Sequence, residues 1–206
     1  NIRRSAGMRQ FASDDKEAAS AKENLWSQDD NGNWRIDPEK DALRMANHTR
    51  VYHTKPSYQT VLDAVTKQFH SGEGAIQFAP EAIARSNADI LNDDELRKEF
   101  IEIYSEQGKD EARNWINSSY GPFSEEELDH RMSRYGLNPC GEILGNDFHC
   151  NLAEVHLNQI DPENFEEQEK AFKAAALSVA CLLNHEFEVE RYRKSREYDP
   201  IVGVSF

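Results

Sequence analysis

The sequence predicts an α/β protein with parallel strands and a high helix content. Short β-prone runs recur at Val51-Tyr52-His53, Ala75–Phe78, Leu152–Leu157 and Ile201–Phe206. Long stretches of helical periodicity separate them. Strand, helix, strand with long connections is the order that parallel pairing requires, because parallel neighbours need a crossover. No internal repeat and no low-complexity segment breaks the alternation.

A chain of 206 residues can bury a core as one large domain or two small ones. Charged residues make up 30% and hydrophobic residues 38%, a polar but globular balance. The net charge of −14 argues against nucleic-acid backbones and anionic membrane surfaces as partners, since both select basic surface. No apolar run reaches the roughly 18 residues that a membrane helix needs. Three cysteines, without close even spacing, do not make a disulfide scaffold. With no signal peptide in view, the expected location is cytoplasmic. The chain opens without Met and closes on a β-prone run, so an internal fragment of a longer polypeptide is expected, with the flanking segments as its partners.

Taken in order, the chain starts with Arg3, Arg4 and Arg9 among small residues, a local anion-attracting patch in an acidic protein. Ser13-Asp14-Asp15 caps a helix expected over 14–27. Asp29–Asn33 is a turn; placing Gly32 sixth in a calcium loop puts Pro38 twelfth, so that pattern fails. Pro38 opens a helix to about Asn47. Pro56 opens another to about Phe69, with Val61, Leu62, Val65 and Phe69 as its apolar stripe. A strand over Ala75–Phe78 leads to a short helix from Pro80 to Ser86. Residues 92–118 read as a long helix or a pair broken near Gly108, with Leu96, Phe100, Ile103 and Tyr104 inward. Ser124 starts a helix to about Tyr135, ended by Gly136. Asp161-Pro162 caps a helix expected over 163–194, buried on most sides between Ala174 and Leu183. Cys181 in that stretch reads as a core thiol.

The chemistry concentrates in Asn138-Pro139-Cys140-Gly141-Glu142-Ile143-Leu144 and Phe148-His149-Cys150-Asn151-Leu152. Cys140, His149 and Cys150 match no common zinc spacing, and no metal ligand set is assigned. Glycine-rich phosphate loops and a nucleophile elbow are absent. Cys140 and Glu142 stand two residues apart, which on extended backbone puts both on one face. A carboxylate beside a thiol raises the thiol pKa. The pair therefore disfavours a thiolate nucleophile and suits a neutral S–H that yields a hydrogen atom. Glu142, once buried, could move protons. A buried turn with incidental cysteines is the plain alternative.

Asn138-Pro139-Cys140-Gly141-Glu142-Ile143, followed by Cys150-Asn151-Leu152-Ala153-Glu154-Val155, resembles the active-site finger loop of the ribonucleotide reductase large chain. The opening Asn1-Ile2-Arg3-Arg4-Ser5-Ala6 resembles the specificity loop of the adenosylcobalamin-dependent (class II) branch. The long helical stretch between the two resembles the monomeric, triphosphate-reducing members. The resemblance implies a partial ten-stranded α/β barrel, helix-rich, with a central finger loop. Residues 1–206 would be an internal fragment of that barrel, 92–135 a helical insertion, and 137–158 the finger loop and its following strand.

The same resemblance implies roles. Cys140 becomes the thiyl radical that takes the 3′ hydrogen, Glu142 takes the 3′-hydroxyl proton, and Cys150 is one of two redox thiols. Asn138 and Gly141 bind substrate. Arg3, Arg4 and Ser5 belong to the loop that links effector to substrate choice. The implied cofactor is adenosylcobalamin, held mostly outside this chain. The implied partners are a ribonucleoside triphosphate, a deoxynucleotide effector and a thioredoxin-type dithiol reductant. No Cys precedes Cys140, so the second redox thiol is expected outside this stretch. Rival expectations are a non-catalytic acidic α/β interaction module, the large chain of a di-metal-dependent (class I) reductase, and a related glycyl-radical enzyme.

Overall fold

The computed structural model describes residues 8–23, 25–44, 46–71, 75–138, 141–146, 148 and 150–206. The chain divides into two compact units, Asn1–Leu144 and Gly145–Phe206.

The first unit carries a three-stranded parallel sheet of order β1-β4-β5, built from β1 (Met8–Ala12), β4 (Asn47–Tyr52) and β5 (Ala75–Phe78). Thr49 and Val51 on the central strand are buried, which is what a strand with neighbours on both edges dictates. All three strands run parallel. The sheets among the described residues have two or three strands, and none closes on itself.

The segment between β1 and β4 departs from expectation. Helix α1 spans only Lys16–Ser20, N-capped by Asp15, whose side chain accepts from the Ala18 N–H at 2.9 Å. The expected continuation to residue 27 instead becomes β2 (Trp26–Gln28), antiparallel to β3 (Trp34–Ile36). Cross-strand pairing overrides helical propensity here, and the Asp29–Asn33 turn joins the strands. A 3-10 turn at Pro38–Lys40 and the short α2 (Asp41–Arg44) replace the helix expected to reach Asn47, which is already in β4.

Helix α3 (Tyr58–Ser71) forms close to its expected span, but its apolar stripe does not lie inward. Ala64 is buried, whereas Leu62, Val65 and Phe69 are exposed. The small face seats the helix on the sheet and leaves the large residues outside.

Four helices build the main core: α4 (Ala79–Ser86), α5 (Asp94–Gln107), α6 (Lys109–Tyr120) and α7 (Glu125–Met132). Ile83, Leu91, Phe100, Ile116, Leu128 and Met132 are fully buried among them. Caps set the boundaries: Asp93 accepts from the Leu96 N–H at 2.8 Å and Ser124 from the Glu127 N–H at 3.1 Å. Gly108, at φ +97°, ends α5 and permits the corner into α6. The helix pair broken near Gly108 forms as expected, while α7 ends at Met132, short of the expected Tyr135, and Gly136 lies in the following strand.

After the two-residue β7 (Leu144–Gly145), the second unit pairs β8 (Asn151–Glu154) in parallel with β9 (Val202–Ser205), with α8 (Phe165–Leu182) packed against them. The single helix expected over 163–194 is two, because the chain breaks after Leu183 and resumes as α9 (Glu190–Tyr198). Two strands cannot cover a helix on most sides. Val179 is buried, while Leu177, Leu182 and Cys181 are exposed, so Cys181 is not a core thiol. No helix among the described residues is long and apolar enough to cross a membrane.

Candidate functional site

The candidate turn leaves the helical core through Tyr135. Its carbonyl oxygen accepts from Gln10 Nε2 at 2.9 Å and from Gln77 Nε2 at 2.7 Å. Gln10 Nε2 also donates to Gln77 Oε1. Strands β1 and β5 therefore fix the start of β6 (Gly136–Leu137), which carries the chain to Asn138.

Asn138 is buried and organises the turn. Its Oδ1 accepts from the Ile143 N–H at 3.0 Å, and its own N–H donates to the Ile143 carbonyl at 3.3 Å. Its carbonyl accepts from the Gly141 N–H at 3.0 Å. Asparagine suits the position because a short amide reaches backbone groups a few residues on. With Oδ1 facing an N–H, Nδ2 is the donor end of the amide. Gly141 stands at φ +82°, a conformation that favours glycine. A left-handed residue directly before Glu142 is not the extended backbone that one-face alternation requires.

Gly141 and Glu142 are exposed, and Ile143 is buried directly after them. The burial that would tune Glu142 is not supplied by the described residues. Cys140 with its neighbour Pro139, His149, and the opening Arg3, Arg4 and Ser5 lie outside the described residues. Cys150 is an exposed thiol in the second unit, immediately before β8. Asn138, Gly141 and Glu142 are thus brought together by one turn. Among the described residues, no group of three or more His, Cys, Asp or Glu side chains could hold a metal ion.

Sequence reasoning missed a second cluster, next to Tyr135. His53, just past β4, contacts the Tyr104 hydroxyl through Nδ1 at 2.9 Å and meets the Tyr135 ring edge-on at 5.4 Å. Burial, then the charge of Lys109, lowers the His53 pKa below its ordinary value. Burial first, with Tyr135 and Asp110 adding, pushes Tyr104 up to about 12. The two groups share one hydrogen bond, in which either can be the donor depending on the imidazole tautomer. A polar Gln77 inside an otherwise apolar strand was the one signal in the sequence that this region is wired by hydrogen bonds.

No family model, no curated protein and no solved structure matches this chain.

Proposed function

We propose that this chain is part of the large chain of an adenosylcobalamin-dependent ribonucleotide reductase, acting on ribonucleoside triphosphates. The observation that carries the reading is the Asn138–Ile143 turn. A buried asparagine ties both arms, and a left-handed glycine stands between the thiol and the carboxylate positions. A loop that must present a hydrogen-atom donor beside a base needs such a backbone, held from below and open at its tip. The parallel β1-β4-β5 sheet beneath it is compatible with a piece of an α/β barrel.

In this reading Asn138 Nδ2 donates to a substrate hydroxyl. Cys140, as a thiyl radical, takes the 3′ hydrogen and later returns it. Glu142 accepts the 3′-hydroxyl proton. Cys150 and a second thiol become a disulfide as the 2′-hydroxyl leaves as water and C2′ gains hydrogen. A thioredoxin-type dithiol then reduces that disulfide. Adenosylcobalamin supplies the initiating radical when bound. The tip at Gly141 and Glu142 is polar and exposed, and on this reading the cofactor is held mostly by other parts of the enzyme.

The test is the Cys140→Ala variant in the complete polypeptide. Loss of deoxynucleotide formation and of hydrogen release from the 3′ position, with nucleotide binding retained, supports the reading; product formation by that variant refutes it. The second reading, an acidic interaction module, draws on the exposure of Glu142 and on the net charge of −14. It expects no reductase activity from the complete polypeptide at all.

A further inference from the structure

We infer that the β2–β3 hairpin is a docking site for a basic peptide segment, through a pair of exposed tryptophans set in an acidic rim. The register pairs Trp26 with Ile36 and Gln28 with Trp34. Directly paired residues of an antiparallel ladder project to the same face, and so do residues two apart on one strand. Trp26 and Trp34 therefore share a face as diagonal neighbours, about 7–8 Å apart along the ribbon. Ser27 and Arg35 take the other face.

Both indoles are open to solvent, at 52% and 64% exposure. A lone exposed apolar residue is ordinary, but two of the largest side chains on one face of a ribbon are not. The hairpin buries none of its strand residues, so core packing does not account for them. Among the described residues, no aromatic or cationic side chain covers either ring.

The ribbon is preformed rather than floppy. Asp29 accepts from the Asn31 N–H at 3.0 Å, from the Asn33 N–H at 2.9 Å and from Arg35 Nε, and Gly32 supplies φ +77° at the corner. These bonds hold the Asp29 carboxyl below its ordinary value, the Asn33 N–H contributing most. Asp29 also takes up the Arg35 charge. Asp30, Asp37 and Glu39, which flank the two strands in sequence, are all exposed, against one half-buried neighbouring cation, Lys40. Indole faces attract cations through the ring quadrupole, guanidinium groups above all, and a carboxylate rim draws the same ligands in. The charge selects a basic occupant over an acidic or neutral one. This inference does not rest on the reductase reading.

The experiment is a fluorescence titration of the chain with an Arg-Gly repeat peptide. Trp115 serves as an internal reference, because it packs against Phe100 in the helical core. The expected result is saturable quenching that weakens as salt rises. Trp34→Ala and Trp26→Ala each weaken binding at least tenfold with unchanged far-UV circular dichroism, and Trp34→Phe retains most of it. Four outcomes overturn the inference: no saturable change with the basic peptide, an equal response to a Glu-Gly repeat of the same length, a saturable response only to a neutral oligosaccharide, or native affinity in Trp34→Ala.

Discussion

Gln77 Nε2 donates to the carbonyl oxygen of Tyr135 at 2.7 Å, and Gln10 Nε2 donates to the same oxygen at 2.9 Å. One carbonyl thus takes a donor from each outer strand of the parallel sheet. The tie joins the sheet to the residue that leads into the candidate turn, across 58 positions of sequence from Gln77.

Replacing Gln77 should therefore loosen the approach to the turn. Gln77→Leu removes one donor and leaves Gln10 Nε2 in place; a loss of about 1–2 kcal/mol in urea unfolding is expected. Gln77→Glu should cost more, since a carboxylate would face the Tyr135 oxygen. An unchanged urea midpoint for both variants would show that the tie contributes nothing.

The His53 cluster predicts a pH dependence with a defined sign. The folded pKa lies below the ordinary 6.5, so the native state disfavours the imidazolium. The associated stability is fully present above the unfolded value and is lost as pH falls through the folded one. Lys109→Gln should raise the His53 pKa, and NMR titration of the imidazole reads this directly. Burial is the larger cause, so a residual depression should survive in that variant. A His53 that titrates at its ordinary value in the native chain would overturn the assignment.

Arg131 makes a second, structural prediction. It is buried, donates to Asn87 Oδ1 at 3.1 Å and to both Asp89 oxygens at 3.1 and 2.9 Å, and lies over the Phe123 ring. Burial pushes the Asp89 carboxyl up, but the Arg131 hydrogen bonds and charge outweigh it and leave the value below 3.8. The contribution from Asp89 is thus present above its unfolded value and lost as pH falls through the folded one. Asp89 is 53% exposed, so solvent screening holds that contribution under about 1 kcal/mol. Arg131→Ala strips partners from several groups at once and should cost about 3 kcal/mol. Equal losses for Asp89→Ala and Arg131→Ala in thermal or urea unfolding would contradict this ranking.

How far the chain could be read in advance depends on whether the deciding contact is local. Ser124 and Gly108 act within a few residues of themselves, and the start of α7 and the break between α5 and α6 were legible. Trp26 and Trp34 act across a hairpin, and an apparent helix hid the strand. The Leu62, Val65 and Phe69 stripe was correctly placed on one helix face. Periodicity does not say what covers a face, and here Ala64 marks the packed side. Along α8, an apolar composition suggested burial that a two-stranded sheet cannot provide. At the site, Asn138, Gly141 and Glu142 were legible as a turn. The tie from Gln10 and Gln77 was not, because it joins residues 10, 77 and 135 through side chains of ordinary type.

The exposure of Cys181 gives a simple chemical check. It stands open on α8, and Cys150 is open before β8. Both should be alkylated by iodoacetamide under native conditions, and peptide mapping by mass spectrometry reads each site separately. Modification of Cys181 only after unfolding would restore the core reading and contradict the exposed helix face.

Asn138 and Gly141 allow the turn to be separated from its proposed chemistry. Ile143 is buried, so Asn138→Ala leaves its N–H without the Oδ1 acceptor and should cost about 1–3 kcal/mol. Asn138→Asp keeps an acceptor for that N–H but replaces the Nδ2 donor with an oxygen. It should fold nearly as well as the parent, yet bind a substrate hydroxyl differently. Gly141→Ala meets no neighbour within 4 Å of the added Cβ, but φ +82° is strained for alanine, and about 1 kcal/mol is expected from backbone alone. Equilibrium unfolding measures all three variants. On the proposed reductase reading, Asn138→Asp in the longer enzyme that reading implies should lower turnover by far more than its small stability change explains. Parallel losses of activity and stability across the three would instead assign Asn138 a purely structural role in the turn.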